Sequence, residues 1–239
     1  MIAIYKREFK SYFQSMIGYV FISFLSLIVG IYFMAYNLVG GYPFFSYTLY
    51  GMSFVFVLTI PILTMKCFAE ERKSKTDQLL LTAPVRLGSV VMGKYLAMVS
   101  VLAIPMAMFC LYPLVIKMNG TAYLKVDYIA IFVFFLLGCV YIAIGMFLSS
   151  LTESQIIAAV STYAVLIVLY MWDGILSFLP TNTVGAFLKE TLSHLELTQT
   201  FIDTFNSQIL NASGLVLYVS LIALFLFFTV QVIQKRRWS

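Results

Sequence analysis

The sequence predicts an all-α integral membrane protein. The expected architecture is six transmembrane helices, an N-terminal amphipathic interfacial helix, a cytoplasmic helix between spans 2 and 3, and short external helices before span 6. Three observations carry this. First, 62% of the 239 residues are hydrophobic and only 10% are charged, against roughly 25% charged in a soluble domain. Second, the mean hydropathy is +0.97, and the apolar residues gather into stretches of about 20, the length a helix needs to cross a bilayer. Third, Lys and Arg collect in alternate connections. A disordered chain is excluded, since such chains are polar and highly charged. So is a soluble enzyme of ordinary composition, which must cover itself with polar groups. Period-2 alternation is absent, which argues against a lipid-facing β-barrel.

Residues 1–16 come first. Ile2, Tyr5, Phe9, Tyr12, Phe13 and Met16 recur at spacings of three and four, with Lys6, Arg7, Glu8 and Lys10 between them. That pattern is an amphipathic helix lying along the cytoplasmic interface; a plain basic anchor that orients the first span is the alternative. The six spans are expected at about 18–37, 48–65, 95–116, 127–148, 155–172 and 214–233. Pro61 lies near the end of the second, and Pro105 and Pro113 lie in the third. The first stretch reads as a mature helix rather than a signal peptide. It is too long, and Met34, Ala35 and Tyr36 put bulky residues where a small-residue cleavage site would be.

Charge sets the direction. Lys6, Arg7, Lys10, Lys66, Arg72, Lys73, Lys75, Arg86, Lys94, Lys235, Arg236 and Arg237 fall on one side, and Lys117, Lys125 and Lys189 on the other. Positive charge collects in the cytoplasm, so both termini are expected there. The longest external connection, 173–213, has mixed apolar and polar character and reads as one or two short helices in the outer leaflet. Tyr42, Phe44, Phe45, Tyr47 and Tyr50 read as an interfacial aromatic belt.

Several apparent motifs carry no chemistry. Cys67, Cys110 and Cys139 are odd in number and far apart, and His194 is the single histidine, so neither a disulfide framework nor a metal cluster is expected. Gly88, Gly93 and Lys94 match the front of a phosphate-binding loop, but Tyr95 stands where a magnesium-ligating Ser or Thr is required. Asn119 to Thr121 and Asn211 to Ser213 fit the short glycosylation pattern, which matters only in a eukaryotic secretory pathway. Asp127 and Asp173 sit at span ends and no ionisable group lies mid-span, unlike most ion-coupled transporters. No catalytic constellation assembles. The chain is therefore expected not to be an enzyme, to hold no cofactor or metal of its own, and to bind no nucleic acid.

The connection 66–94 is the polar centre. Glu70, Glu71, Arg72 and Lys73 form an alternating charge cluster. Ser74 and Thr76 are candidate helix caps, and Asp77 suits the positive end of a helix. Leu79, Leu80 and Leu81 form an apolar patch, followed by Thr82 and by Pro84, which stops the helix. A short capped helix of this kind fits a groove on a cytosolic partner. It equally fits an interfacial helix that buries its leucines in lipid.

The same loop resembles the signature of type-2 ABC exporter permeases, nearest to the branch of the gliding-motility permease and the permease of copper-site maturation for nitrous oxide reductase. The matching residues are Glu70, Glu71, Arg72, Thr76, Asp77, Leu79, Leu80, Thr82, Pro84 and Val85. A second match is Ser149, Ser150, Leu151, Thr152, Glu153, Ser154 and Gln155, between spans 4 and 5, and a weaker third is Leu192 to Leu195. The resemblance implies that two permease subunits pair as a homo- or heterodimer, each engaging one ABC ATP-binding subunit that carries the ATP and magnesium. It implies that the loop between spans 2 and 3 is the main coupling helix, that Ser149 to Glu153 approach the same ATPase, and that spans 1 and 5 form the dimer interface. It also allows an auxiliary membrane subunit with a large external domain. The expected location is the bacterial plasma membrane.

The residues agree on one point. The chain has no complete phosphate-binding loop, so ATP-driven work must come from another polypeptide. A stand-alone channel or secondary transporter needs polar pores or matched broken helices, and a non-transporting scaffold needs only the loop. Ser23, Ser26, Tyr32, Ser161, Thr162 and Tyr163 in spans 1 and 5 suit a lipid-like, peptide or drug-like substrate, and equally suit ordinary helix packing.

Overall fold

The computed structural model describes residues 1–73, 86–177, 197, 201–202 and 212–238. Among them every regular element is helical. Helix α1 (Ile2–Gln14) carries the amphipathic pattern of the N-terminus, and an extended Ser15 turns the chain into α2 (Met16–Phe33). That helix continues as a π-helical stretch, Met34–Val39. It ends at Gly40 and Gly41, where φ of +68° at Gly41 requires a residue without a Cβ.

The second apolar stretch is divided. α3 (Ser46–Gly51) and α4 (Ser53–Thr64) meet at Met52, whose backbone is non-helical. After a turn, α5 (Ala69–Lys73) carries the acidic and basic residues of the predicted cluster. α6 (Leu87–Phe109) starts well before the expected Tyr95, because Arg86 takes an extended conformation and Lys94 lies inside the helix. α7 (Tyr112–Asn119) follows a break before Pro113, a residue that fits the first turn of a helix and not its interior. α8 (Leu124–Leu151), α9 (Gln155–Tyr170), α10 (Trp172–Ser177) and α11 (Ala212–Trp238) complete the described elements.

Five helical segments are long and apolar enough to cross a membrane: Met16–Val39, Ser53–Lys73, Leu87–Asn119, Leu124–Leu151 and Ala212–Arg236. The chain is thus a multi-pass, all-α membrane protein. The expected fifth span is the apolar α9, whose 16 residues reach about 24 Å and fall short of a hydrocarbon core of about 30 Å.

α8 is the central helix, packed against α4, α6, α9 and α11. Two glycines allow its close approach to its neighbours. A Cβ at Gly138 would lie 2.7 Å from Leu102 Cδ2, and one at Gly145 would overlap Thr64. Phe56 and Phe134 stack at 4.1 Å between α4 and α8. At one end of α8 the fully buried Asp127 accepts hydrogen bonds from the Phe45 and Ser46 N–H groups, at 2.8 and 3.2 Å. Beside it, Asn37 donates to the Tyr42 and Phe44 carbonyls and accepts from Thr48. Of the connection after α10, Leu197 and Phe201 are buried; Tyr218 donates to the Leu197 carbonyl, and Phe201 packs on Phe134. The rest of the expected external helices lie outside the described residues.

Candidate functional site

The opposite end of α8 gathers the charged residues. Four elements meet there: α1, the turn from α4 into α5, the first turns of α6, and the turn between α8 and α9.

α5 is the hub, because its successive residues face different neighbours, as helical geometry requires. Glu71 faces α1 and α6. Its Oε1 lies 3.1 Å from Arg7 Nη2 and 3.0 Å from Lys94 Nζ. Arg72 faces the other way. Its Nη2 lies 2.9 Å from Glu153 Oε1, and its Nη1 reaches the Ser150 carbonyl at 3.5 Å. Glu70 pairs with Lys66 one turn back, at 3.4 Å, and Lys73 is exposed. The alternating cluster of the sequence thus reaches outward to three other parts of the chain.

Sequence reasoning does not place Arg7, Glu8 or Lys94 in this site, and the most deeply buried of the three is Lys94. By sequence it is one more loop charge and the end of a failed phosphate-loop pattern. In the fold it is 1% exposed, and Nζ donates to Glu8 Oε1 at 3.2 Å, Glu71 Oε1 at 3.0 Å and the Cys67 carbonyl at 3.0 Å. All three ammonium donors are thereby used, and the Phe68 ring lies beneath the charge at 5.1 Å. Glu8 also accepts from Arg7 at 2.6 Å. Arg7, Glu8, Lys94 and Glu71 therefore form a closed ring of alternating charge. The hydrogen bond to Glu8 holds the Arg7 guanidinium above its ordinary range. The local signal for Lys94 is its place within the apolar run Val90 to Met98; a lone charge there requires a partner, but nothing in the run names Glu8 or Glu71. A cavity of about 360 Å³ opens over the ring, bordered also by Lys66 and Glu70.

Backbone contacts hold the hub to α8. The Ser149 hydroxyl accepts from the Phe68 and Ala69 N–H groups at 3.2 and 3.3 Å, and reaches the Met65 carbonyl at 3.4 Å. Ser150 donates to Phe147 within its own helix. Leu151 is exposed at the end of α8, and Thr152 begins the extended turn toward α9. Among the described residues, then, Glu70, Glu71, Arg72, Ser149, Ser150 and Glu153 come together. Thr76, Asp77, Leu79, Leu80, Leu81, Thr82 and Pro84 lie outside the described residues, as do Leu192 to Leu195.

The profile of a family described as ABC-2 family transporter protein matches residues 44–234 of this chain. That match covers most of the sequence, including both predicted loops. The chain belongs to the ABC-2 transporter family. As an ABC-2 protein it is a membrane-spanning permease component of an ABC transporter, and this membership implies an ABC ATP-binding subunit as its partner. No individual curated protein matches it. The ABC-2 match begins at residue 44, so α1 and its half of the charged ring lie outside it.

Among the described residues no group of three or more His, Cys, Asp or Glu could hold a metal ion. The charged groups Arg7, Glu8, Glu71, Arg72 and Lys94 pair with one another, with Glu153 and with backbone. The arrangement links α1, α5, α6 and the turn between α8 and α9.

Proposed function

We propose that this chain is the permease subunit of an ATP-driven exporter, and that the charged hub lies on the cytoplasmic side, where it receives motion from the ATP-binding subunit. Two permease subunits, identical or related, would pair through spans 1 and 5 and pass substrate between them. Each would engage one ATP-binding subunit that carries ATP and magnesium. The loop residues favour the gliding-motility and nitrous-oxide-reductase-maturation branch, and an auxiliary subunit with a large external domain is part of that reading.

One observation carries the proposal. The two stretches expected to touch an ATPase, 70–84 and 149–153, are far apart in sequence and bonded in space by Arg72 and Glu153. The loop after Lys73 thus starts from a base tied to α8 through Ser149 and Arg72. Displacing this loop displaces the central helix of the bundle. The exposed Leu151 gives the second stretch an apolar contact of its own.

Docking is assigned to Leu79 and Leu80, at about 1.5–3 kcal/mol for each fully buried side chain. Leu79→Asp together with Leu80→Asp should abolish co-purification of the ATP-binding subunit while leaving membrane insertion intact. Undiminished co-purification would refute the assignment.

A further inference from the structure

α1 is packed against the helix bundle through one side, at α2 and α6. Tyr12 is buried and its hydroxyl donates to the Leu63 carbonyl of α4 at 3.3 Å. The Tyr5 hydroxyl pairs with Ser100 of α6 at 2.9 Å. Ile4 lies over Gly93, where a Cβ would come within 3.2 Å of it. The polar face of α1 is held by the charged ring, in which Lys94 contacts Glu8 of α1 and Glu71 of α5 with the same ammonium group. α1 runs directly into α2 through the single residue Ser15.

Resting on the permease reading above, we infer that Lys94 is a positioning residue for energy coupling: it locks α1 to α5, so that motion entering at the cytoplasmic loop is delivered through α1 to the first span. Two features favour a working joint over a simple staple. A closed ring of four charges joins α1 to α5 twice, by Arg7 and by Glu8 through Lys94, with both connections meeting at Glu71 Oε1. The Lys94 route is buried, where ionic contacts are screened far less than at the surface. Moreover, Glu71 and Arg72 are adjacent, so one short helix connects this ring to the turn between α8 and α9. A push on α5 therefore reaches α2 and α8 together.

The test uses the full chain with its ATP-binding subunit, purified in mild detergent, and hydrogen–deuterium exchange of residues 2–14 with and without ATP and vanadate. The variant is Lys94→Met with Glu8→Gln, which removes the pairs Lys94 makes with Glu8 and Glu71 and the Arg7–Glu8 pair, and leaves Arg7 with Glu71. The expected result is a nucleotide-dependent change in exchange at residues 2–14 of the unsubstituted complex. That change should be absent in the double variant, which still co-purifies with the ATPase, and ATP turnover should fall at least about fivefold, the lower end of typical coupling between sites. Arg7→Gln opens the ring at its exposed corner while Lys94 keeps both carboxylates, and should weaken the exchange response partway; it serves if the double variant does not assemble. The inference is overturned if α1 exchange ignores nucleotide in the unsubstituted complex, or if response and turnover survive in the double variant. An unsubstituted chain that retains no ATP-binding subunit would instead overturn the function reading on which this one rests.

Discussion

Gly145→Ala tests whether the close approach of α4 and α8 sets up the hub. A Cβ at this position would overlap Thr64 Oγ1 and lie 2.9 Å from both Cβ and Cγ2 of the same residue. Carbon atoms in ordinary contact stand about 3.5–4.0 Å apart, so the helices must part by roughly 0.6–1 Å. Thr64 has little room to yield. It is fully buried, it is β-branched, and its hydroxyl bonds the Ile60 carbonyl at 3.1 Å. Overpacking of this kind costs about 1–3 kcal/mol, partly offset by the helix preference of Ala over Gly, about 1 kcal/mol. The net expectation is a loss of up to about 2 kcal/mol. Ser149 lies one turn further along α8 and holds Phe68 and Ala69 at 3.2 and 3.3 Å. Parting the helices takes those bonds out of range, so coupled ATP turnover should fall as well. The assay is thermal unfolding of the purified protein, in a cycle with Thr64→Ala, which removes Oγ1 and Cγ2 and leaves only the Cβ contact at 2.9 Å. In that background the penalty of Gly145→Ala should shrink without vanishing, a coupling of about 1 kcal/mol between the sites. A penalty that persists unchanged in the Thr64→Ala background would refute the steric argument.

Glu153→Ala should barely change thermal stability, by about 1 kcal/mol or less, because its side chain is 78% exposed and such pairs are weak in water, whereas Arg72→Ala also loses the packing of a side chain only 15% exposed. Turnover of the complex should nevertheless drop with Glu153→Ala, and an unchanged turnover would remove the Arg72–Glu153 pair from the coupling path. Asp127→Ala should cost about 1–3 kcal/mol for each buried N–H it orphans, at Phe45 and Ser46, while Asp127→Asn keeps an acceptor and should be much milder in the same unfolding measurement.

Short-range composition and spacing are enough to give the membrane class, the approximate spans and the first helix. The apolar runs limit where helices can cross a bilayer, because a spanning segment must satisfy its own backbone groups and present apolar side chains to lipid. The three- and four-residue spacing gives α1, and the Lys and Arg asymmetry gives an expected orientation. The loop residues around Glu70 and Ser149 are legible as a resemblance, residue by residue.

Tertiary packing decides the rest. Read alone, Lys94 looks like the edge of a loop, and so the third span appears to begin at Tyr95. It sits inside α6 because Glu8 and Glu71, from two distant parts of the chain, neutralise it. Asp127 likewise has the look of a span boundary, and it is buried because two backbone N–H groups from another part of the chain satisfy it. The break at Met52 and the short α9 are hidden inside continuous apolar runs, where hydropathy carries no information on helix direction. A buried charge is stable only with its partners in place, and those partners are chosen by helix packing, which no local pattern records.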